Sequence, residues 1–525
     1  IEAPNPTREP GLFYPFIPAL NIKEPWENHT FVNDVTDKVI EYWEDRDLTD
    51  NTELHLPRST TMSTRAIPGR VLTTRKAVLA KYPETGRPTL TKKYLALTNA
   101  ATTRLGDRLI LRKHPLDTAQ MVRKFRELYV GDKELCGVFR SKPITYNNKA
   151  VREWLSTRTG HTKIDAELNK LEAEGLELNP INLLNVHGKL EKLVKQALAE
   201  TPERENQIRI IVWQNKSITA IFSPIFLEAK KRLKQLLGNK IIYADGLTPM
   251  ELSNRVRNIP SSGRWFFEDD LAKQDKQTDW ETLECEMSIY TEILGVHPDV
   301  VQLWRMAHRN WRFKSTTVRG MLDAMRQTGQ ATTALGNVIV NLLVHMQLFE
   351  KNRNKIDLML VLGDDNLIIS RGRIDPEHQR GYARAYWNMD SKSFSRQDAG
   401  IFLRFIFYKN FEGSIESGAD VRRLCTTYEI TNGVAESTID NMKARCMSYC
   451  ALLGAQPWVM DVVHHHNLPI TPVVWYNSSA CRAATASYYN LNEYELENYR
   501  IRLHRMMLSN NVIEYQWTHF MEAKN

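Results

Sequence analysis

The sequence predicts a mixed α+β protein in three regions: a basic front part, a middle of alternating strands and helices, and a helical end. Three observations predict this. From Gln207 to about Tyr428, strand and helix patterns alternate clearly. Inside that stretch two apolar runs flank the turn Gly363-Asp364-Asp365, the grammar of an antiparallel hairpin. From Ser437 onward the pattern is mainly helical, with a Pro- and His-containing break from Trp458 to Trp475.

The 525 residues are 42% hydrophobic and 25% charged, the composition of an ordinary folded protein rather than a disordered or fibrous one. At that length, roughly three or four subdomains are expected. Mean hydropathy is −0.43, and no run of apolar residues reaches the length of a membrane span. The chain begins Ile1-Glu2-Ala3-Pro4, with neither an initiator Met nor a signal-peptide core, and so reads as a cleaved product or truncated chain; a polyprotein fragment would fit. A net charge of +8 and a pI near 9.0 favour an anionic partner, a weak signal by itself. Six cysteines are too few for a disulfide scaffold of this size. Cys446 and Cys450, with His464, His465 and His466 downstream, have the donors for a metal. They also share an apolar helical stripe with Met442 and Leu453, and buried thiols are the favoured reading.

In the front part, Pro4 to Pro18 and Leu56 to Arg70 read as extended cover. Basic, mixed helical patterns run over Lys76–Leu95, Lys113–Tyr129 and Pro180–Ala199. Lys230, Lys231, Arg232 and Lys234 read as a solvated helix face, with template phosphates as the alternative contact.

The middle region carries the chemistry. Arg264 to Leu271 is an aromatic strand with acids at its C-terminal end, so Asp270 ends a strand and Asp275 lies in the turn that follows. A helix is expected after Gln277, with Thr278 and Glu281 as a capping box, a stripe of Leu283, Met287, Tyr290 and Leu294, and Gly295 as C-terminal cap. Next, Met325 to Asn337 leads into a helix expected to run to Phe349. Thr333, Asn337, Asn341 and His345 recur every four residues on an otherwise apolar helix, so this polar stripe is expected to line an internal cleft. Gly329 permits close backbone approach at its entry. The hairpin of residues 356–369 places adjacent carboxylates between two runs apolar enough to be buried. Carboxylates crowded there repel unless a cation neutralises them. With Asp270 they would form a hard-oxygen site suited to Mg²⁺.

These blocks resemble motifs A, B and C of viral RNA-dependent RNA polymerases, in that order. Asp270 and Asp275 fit motif A (residues 264–279). Thr328, Gly329, Thr333 and Asn337 fit motif B (325–349), and Gly363-Asp364-Asp365 fits motif C (356–369). The Arg326-Gln327-Thr328-Gly329 block and the Gly-Asp-Asp-Asn variant are closest to the alphavirus-like supergroup of positive-strand RNA viruses. Residues 381–395 resemble its motif D segment around Lys392, and 401–424 its motif E and palm–thumb junction. Residues 204–216 resemble motif F. The sequence departs from the pattern at Gln274, where Phe is usual, at Gln207, where motif F carries a cation, and at Phe402-Leu403-Arg404, in place of Phe-Cys-Gly.

The resemblance implies a right-hand polymerase fold. An N-terminal extension and fingers would occupy 1–240. A palm, an antiparallel sheet with helices on one face and an inserted fingers segment, would occupy 241–428, and a mainly helical thumb 429–525. It further implies two Mg²⁺ ions on Asp270, Asp364 and Asp365, with Mn²⁺ as a possible substitute. Arg209 and Arg204 would meet the triphosphate, and Lys392 would protonate pyrophosphate. Asp275, Thr333 and Asn337 would read the ribose, and Thr328 and Gly329 would meet template or primer. Implied partners are single-stranded RNA template, nascent RNA, nucleoside triphosphates and other viral replicase subunits. The implied location is host cytoplasm, in membrane-associated replication complexes reached through those partners, or the virus particle. Rival readings are a reverse transcriptase, which usually has an aromatic where Asp275 stands, and a silent RNA-binding scaffold. No GxxxxGK[S/T] phosphate loop occurs, which speaks against a helicase.

Overall fold

A computed structural model describes residues 61–64, 71–72, 74–76, 91–92, 114–158, 165–166, 168–169, 173, 182–188, 210–272, 274–308, 311–314, 318–322, 326, 330–428, 430–432, 438–470 and 478–508. The chain is mixed α+β, as the alternating patterns predict. Its organising element is a five-stranded sheet built from β1 (Ile241–Tyr243), β2 (Trp265–Ala272), β3 (Ile356–Leu362), β4 (Asp365–Ser370) and β5 (Asp390–Arg396). The strand order is β5-β2-β4-β3-β1. All pairings are antiparallel except the edge, where β1 runs parallel to β3, a departure from the fully antiparallel expectation.

Side-chain alternation assigns the two faces of this sheet. Phe267, Leu271, Met359, Val361 and Ile368 enter the large core on the helical face. That core is closed by α1 (Thr118–Tyr129), α2 (Lys216–Leu236), α3 (Trp280–Glu292), α4 (Pro298–Ala307) and α5 (Thr333–Val344). Phe266, Leu358, Leu360, Leu367 and Ile369 point the other way. There they meet Phe402, Phe407 and Ile415 of a small antiparallel sheet formed by β6 (Ala399–Phe402), β7 (Phe405–Lys409) and β8 (Ile415–Ala419). A one-residue slip of β2 would exchange its two faces and drive the acids Glu268 and Asp270 into the apolar core under the helices. Register, and with it the position of Asp270, is therefore fixed by packing.

A second five-stranded sheet joins distant segments: Thr61–Thr64, Val318–Leu322, Trp311–Lys314, Leu183–Gly188 and Ile210–Gln214, in that order. The strand Leu183–Gly188 corrects part of the helical expectation over Pro180–Ala199, of which residues 189–199 lie outside the described residues. Antiparallel pairing with Ile210–Gln214 and parallel pairing with Trp311–Lys314 outweigh the local pattern. The described residues from 438 to 508 are mainly helical, as expected. The helix Pro457–His465, however, occupies part of the expected break at Trp458–Trp475, with Pro457 in the first turn, where its missing N–H costs nothing.

Two local expectations are also corrected. Asp279, not Thr278, caps α3 and accepts from the Thr282 N–H, while the Thr278 hydroxyl donates to the Gln274 carbonyl. The helix expected to reach Phe349 is divided at His345 (φ −95°, ψ 4°) into α5 and a short α6 (Met346–Asn352).

Candidate metal and nucleotide site

Asp270 stands near the end of β2, and Asp365 opens β4 as its cross-strand neighbour. Asp364 lies in the turn between β3 and β4, which Gly363 permits with φ of 57°. Three carboxylate oxygens, one from each residue, all lie within 4.8 Å of one another, the one such metal-ready group among the described residues. The sequence-distant acids thus meet at one point. Burial, then repulsion from Asp270, pushes Asp364 up to about 6; burial, then Asp364 and Asp270, pushes Asp365 up to about 7. Asp270 is likewise raised, chiefly by burial, although Lys392 opposes the shift. Crowded carboxylates that resist ionisation are a site that favours a cation, and an all-oxygen donor set suits a hard divalent ion. Among described residues, Cys446, Cys450 and the three histidines form no comparable cluster. Both thiols are buried in the C-terminal apolar core, the favoured sequence reading.

Lys392 of β5 is the direct cross-strand partner of Asp270. Asp275 sits in the single turn Gln274–Gln277, where Asn337 Nδ2 donates to its Oδ1 at 2.9 Å. Gln274, the departure from the usual Phe, uses its amide to hold the Asn337 carbonyl at 2.9 Å. Thr333 accepts from the Gln330 N–H. The polar stripe of α5 does line the interior: Asn341 and His345 are both 0% exposed. Thr328 and Gly329, and Arg204 and Arg209 of the motif F segment, lie outside the described residues; Ile210–Gln214 beyond those arginines is a strand. The basic face of α2 is occupied structurally. Arg232 donates to the carbonyls of Phe139, Lys142 and Leu294, and Lys230 and Lys234 pair with Asp245.

Several groups at the site escaped the sequence reading. Asp269 faces the helices, opposite to Asp270, and is held by His345 Nε2 and by the Ser391 hydroxyl, each at 2.7 Å. Glu268 faces the small sheet, accepting from the Ile401 N–H and the Tyr488 hydroxyl. The Leu403 N–H donates to Asp365 Oδ2 at 3.2 Å. The strand period of two was the available signal, since it sends the middle acid of Glu268-Asp269-Asp270 to the opposite face.

With this geometry in place, comparison with known proteins identifies the class. A family model described as RNA dependent RNA polymerase matches residues 61–405. The chain belongs to this family of RNA-dependent RNA polymerases. Its relatives are replicase proteins of positive-strand RNA viruses in the alphavirus-like supergroup. They include the replicase large subunit of Turnip vein-clearing virus, 26% identical over 56% of this chain and 18% of its own length. The RNA-directed RNA polymerase 2a of Cowpea chlorotic mottle virus is 26% identical over 41% of this chain and 26% of its own. The replicase polyprotein 1ab of Beet yellows virus is 28% identical over 46% of this chain and 8% of its own. The chain thus spans about a quarter or less of the length of these relatives. No helix among the described residues is long and apolar enough to cross a membrane.

Proposed function

We propose that this chain is the polymerase unit of a viral replicase. It adds ribonucleoside triphosphates to an RNA 3′-hydroxyl under direction of an RNA template, replicating and transcribing a viral genome. The observation that carries the reading is the meeting of Asp270, Asp364 and Asp365 in a chain of this family. These three would hold two Mg²⁺ ions, with Mn²⁺ as substitute; such ions, when bound, stabilise the attacking and leaving oxygens of an in-line displacement. The 3′-hydroxyl attacks the α-phosphate and pyrophosphate departs. Lys392 would give the leaving group a proton, a role that its cross-strand pairing with Asp270 supports.

Asp275, Asn337 and Thr333 select ribose. The Asn337–Asp275 bond sets the polar groups in advance, and a substrate lacking the 2′-hydroxyl would leave such groups unpaired. Arg209 and Arg204 meet the triphosphate, while Thr328 and Gly329 contact template or primer. In the right-hand arrangement the central sheet is the palm (241–428), 1–240 the extension and fingers, and 429–525 the thumb. The sheet that joins residues before 215 to 311–322 supports an inserted fingers segment. Further partners would be other replicase subunits, in cytoplasmic, membrane-associated complexes or in the virus particle.

Primer extension on a defined RNA template tests the reading. Asp364→Ala is expected to lower synthesis at least a thousandfold while RNA affinity stays within about twofold, since the carboxylate serves chemistry rather than template binding. Wild-type synthesis by that variant, or preference for deoxynucleotides in the parent chain, would overturn it.

A further inference from the structure

The Gly363–Asp365 turn must hold two carboxylates at metal-binding spacing although they repel one another. Its backbone is fixed at three consecutive carbonyls. Asn341 Nδ2 donates to the Gly363 carbonyl at 3.0 Å and to the Asp365 carbonyl at 2.9 Å, and the Leu271 N–H donates to the Asp364 carbonyl at 3.3 Å. The orientation of the Asn341 amide is settled by chemistry, because both turn partners are acceptors and only the NH₂ end satisfies them. Its other end is fixed too: Asn341 Oδ1 accepts from Asn366 Nδ2 at 3.1 Å. Asn366 lies on the helical face of β4, next to Asp365, which faces the opposite side.

Neither asparagine belongs to the residues assigned to metal, ribose or phosphate. Both are buried, Asn341 at 0% and Asn366 at 1% exposure. A buried amide set against an apolar helix is costly unless it is bonded. Here the bonds run to the backbone that presents Asp364 and Asp365. An apolar residue at 341 would fill the helix face and leave both turn carbonyls without this donor.

We propose that Asn341, oriented by Asn366, is a positioning residue that sets the geometry of the Asp364–Asp365 turn and thereby its affinity for divalent cations. The assignment rests on the polymerase reading of the site. Asn341 acts through the turn backbone, and Asn366 acts through Asn341.

The test uses the full chain with Asn341→Ala, Asn366→Ala and the double variant. Mn²⁺ binding is followed by electron paramagnetic resonance without RNA or nucleotide, beside primer-extension kinetics, RNA affinity and Tm. Asn341→Ala is expected to weaken Mn²⁺ binding and lower kcat, each about tenfold, the scale of one or two lost hydrogen bonds. KM for nucleotide and RNA affinity should stay within about twofold. Asn366→Ala should give a smaller loss, and the double variant should match Asn341→Ala, because groups acting in series do not add. Unchanged Mn²⁺ affinity in folded Asn341→Ala would overturn the proposal, as would losses that add fully in the double variant. Should Asn341→Ala fail to fold, Asn366→Ala decides in the same assay: weakened Mn²⁺ binding supports the role, and wild-type binding removes it. A parent chain that makes no RNA would count against the polymerase reading instead.

Discussion

At the scale of single residues, the site is a set of carboxylates that protein folding makes uncomfortable and a cation would relieve. Asp364 and Asp365 stand at about 6 and about 7, against an ordinary value of 3.8, from burial and mutual repulsion. A carboxyl raised in the folded chain favours the folded state in its protonated form. Its contribution is full below the unfolded value and is lost as pH rises through the folded one. Without divalent cations the Tm should therefore decline from about pH 4 until about pH 8 from this cluster. Cation binding needs the ionised forms, so Mg²⁺ should raise Tm by several degrees near pH 8 and hardly at all near pH 5. Thermal melts across that range with and without Mg²⁺ check this, and Asp365→Asn should flatten both trends. Equal Mg²⁺ shifts at both ends of the range would place the binding elsewhere. The carboxylates themselves were legible in the sequence, because an ordinary hairpin seldom sets adjacent acids between two runs apolar enough to be buried. Asp269 and Glu268 were not, since their partners His345, Ser391, Ile401 and Tyr488 lie 76 to 220 positions away.

At the scale of elements, α5 is the part that ties the site together. Its four-residue stripe, visible in the sequence, reaches Asp275 through Asn337, the turn through Asn341 and β2 through His345. The break at His345 was not visible, because no Pro or Gly announces it. His345 Nδ1 bonds the Asn341 carbonyl at 2.7 Å while Nε2 reaches Asp269, and the two contacts fix the residue between α5 and α6. On another side of α5, Gly336 faces a fully buried ion pair between Arg326 and Glu286, which Tyr290 also joins. A Cβ at 336 would collide with Arg326 Nη1 and stand 2.6 Å from Glu286 Oε1. The guanidinium cannot swing into solvent to make room, and overpacking of this kind costs about 1–3 kcal/mol or more. Gly336→Ala is expected to destabilise the chain by at least that amount despite the better helix propensity of Ala. Urea denaturation measures it; a stability equal to or above the parent's would show that the pair relaxes freely.

At the scale of the whole molecule, the C-terminal helices must be held at a defined angle to the central sheet, and two adjacent tyrosines do this. α7 (Ser478–Tyr489) ends in Tyr488 and Tyr489, and α8 (Glu493–Leu508) follows it. Tyr488 donates to Glu268 of β2, and Tyr489 donates to the buried Asp420 that follows β8. Each ring also carries a guanidinium, Arg396 over Tyr488 at 4.1 Å and Arg422 over Tyr489 at 4.6 Å. Apolar contact between α7 and the small sheet is modest, with Ala480, Cys481 and Ala484 packed on Ala399, Ile406 and Tyr408, while Tyr499, Leu503 and Met507 of α8 join the C-terminal apolar core. The small side chains allow close approach, but their limited area leaves direction to the polar pairs. Removing both hydroxyls would leave two buried carboxylates short of a donor, a penalty of about 1–3 kcal/mol each. Burial already raises both acids, so they would take up protons more readily once the tyrosine donors that oppose the shift are gone. The Tyr488→Phe, Tyr489→Phe double variant should therefore loosen the C-terminal helices without dissolving the central sheet. Hydrogen exchange should accelerate at least tenfold across residues 478–508 while strands β2 to β4 keep their protection. A uniform acceleration over both regions would mean that the tyrosines support global stability alone, with no separate hold on the angle between the C-terminal helices and the sheet that carries Asp270.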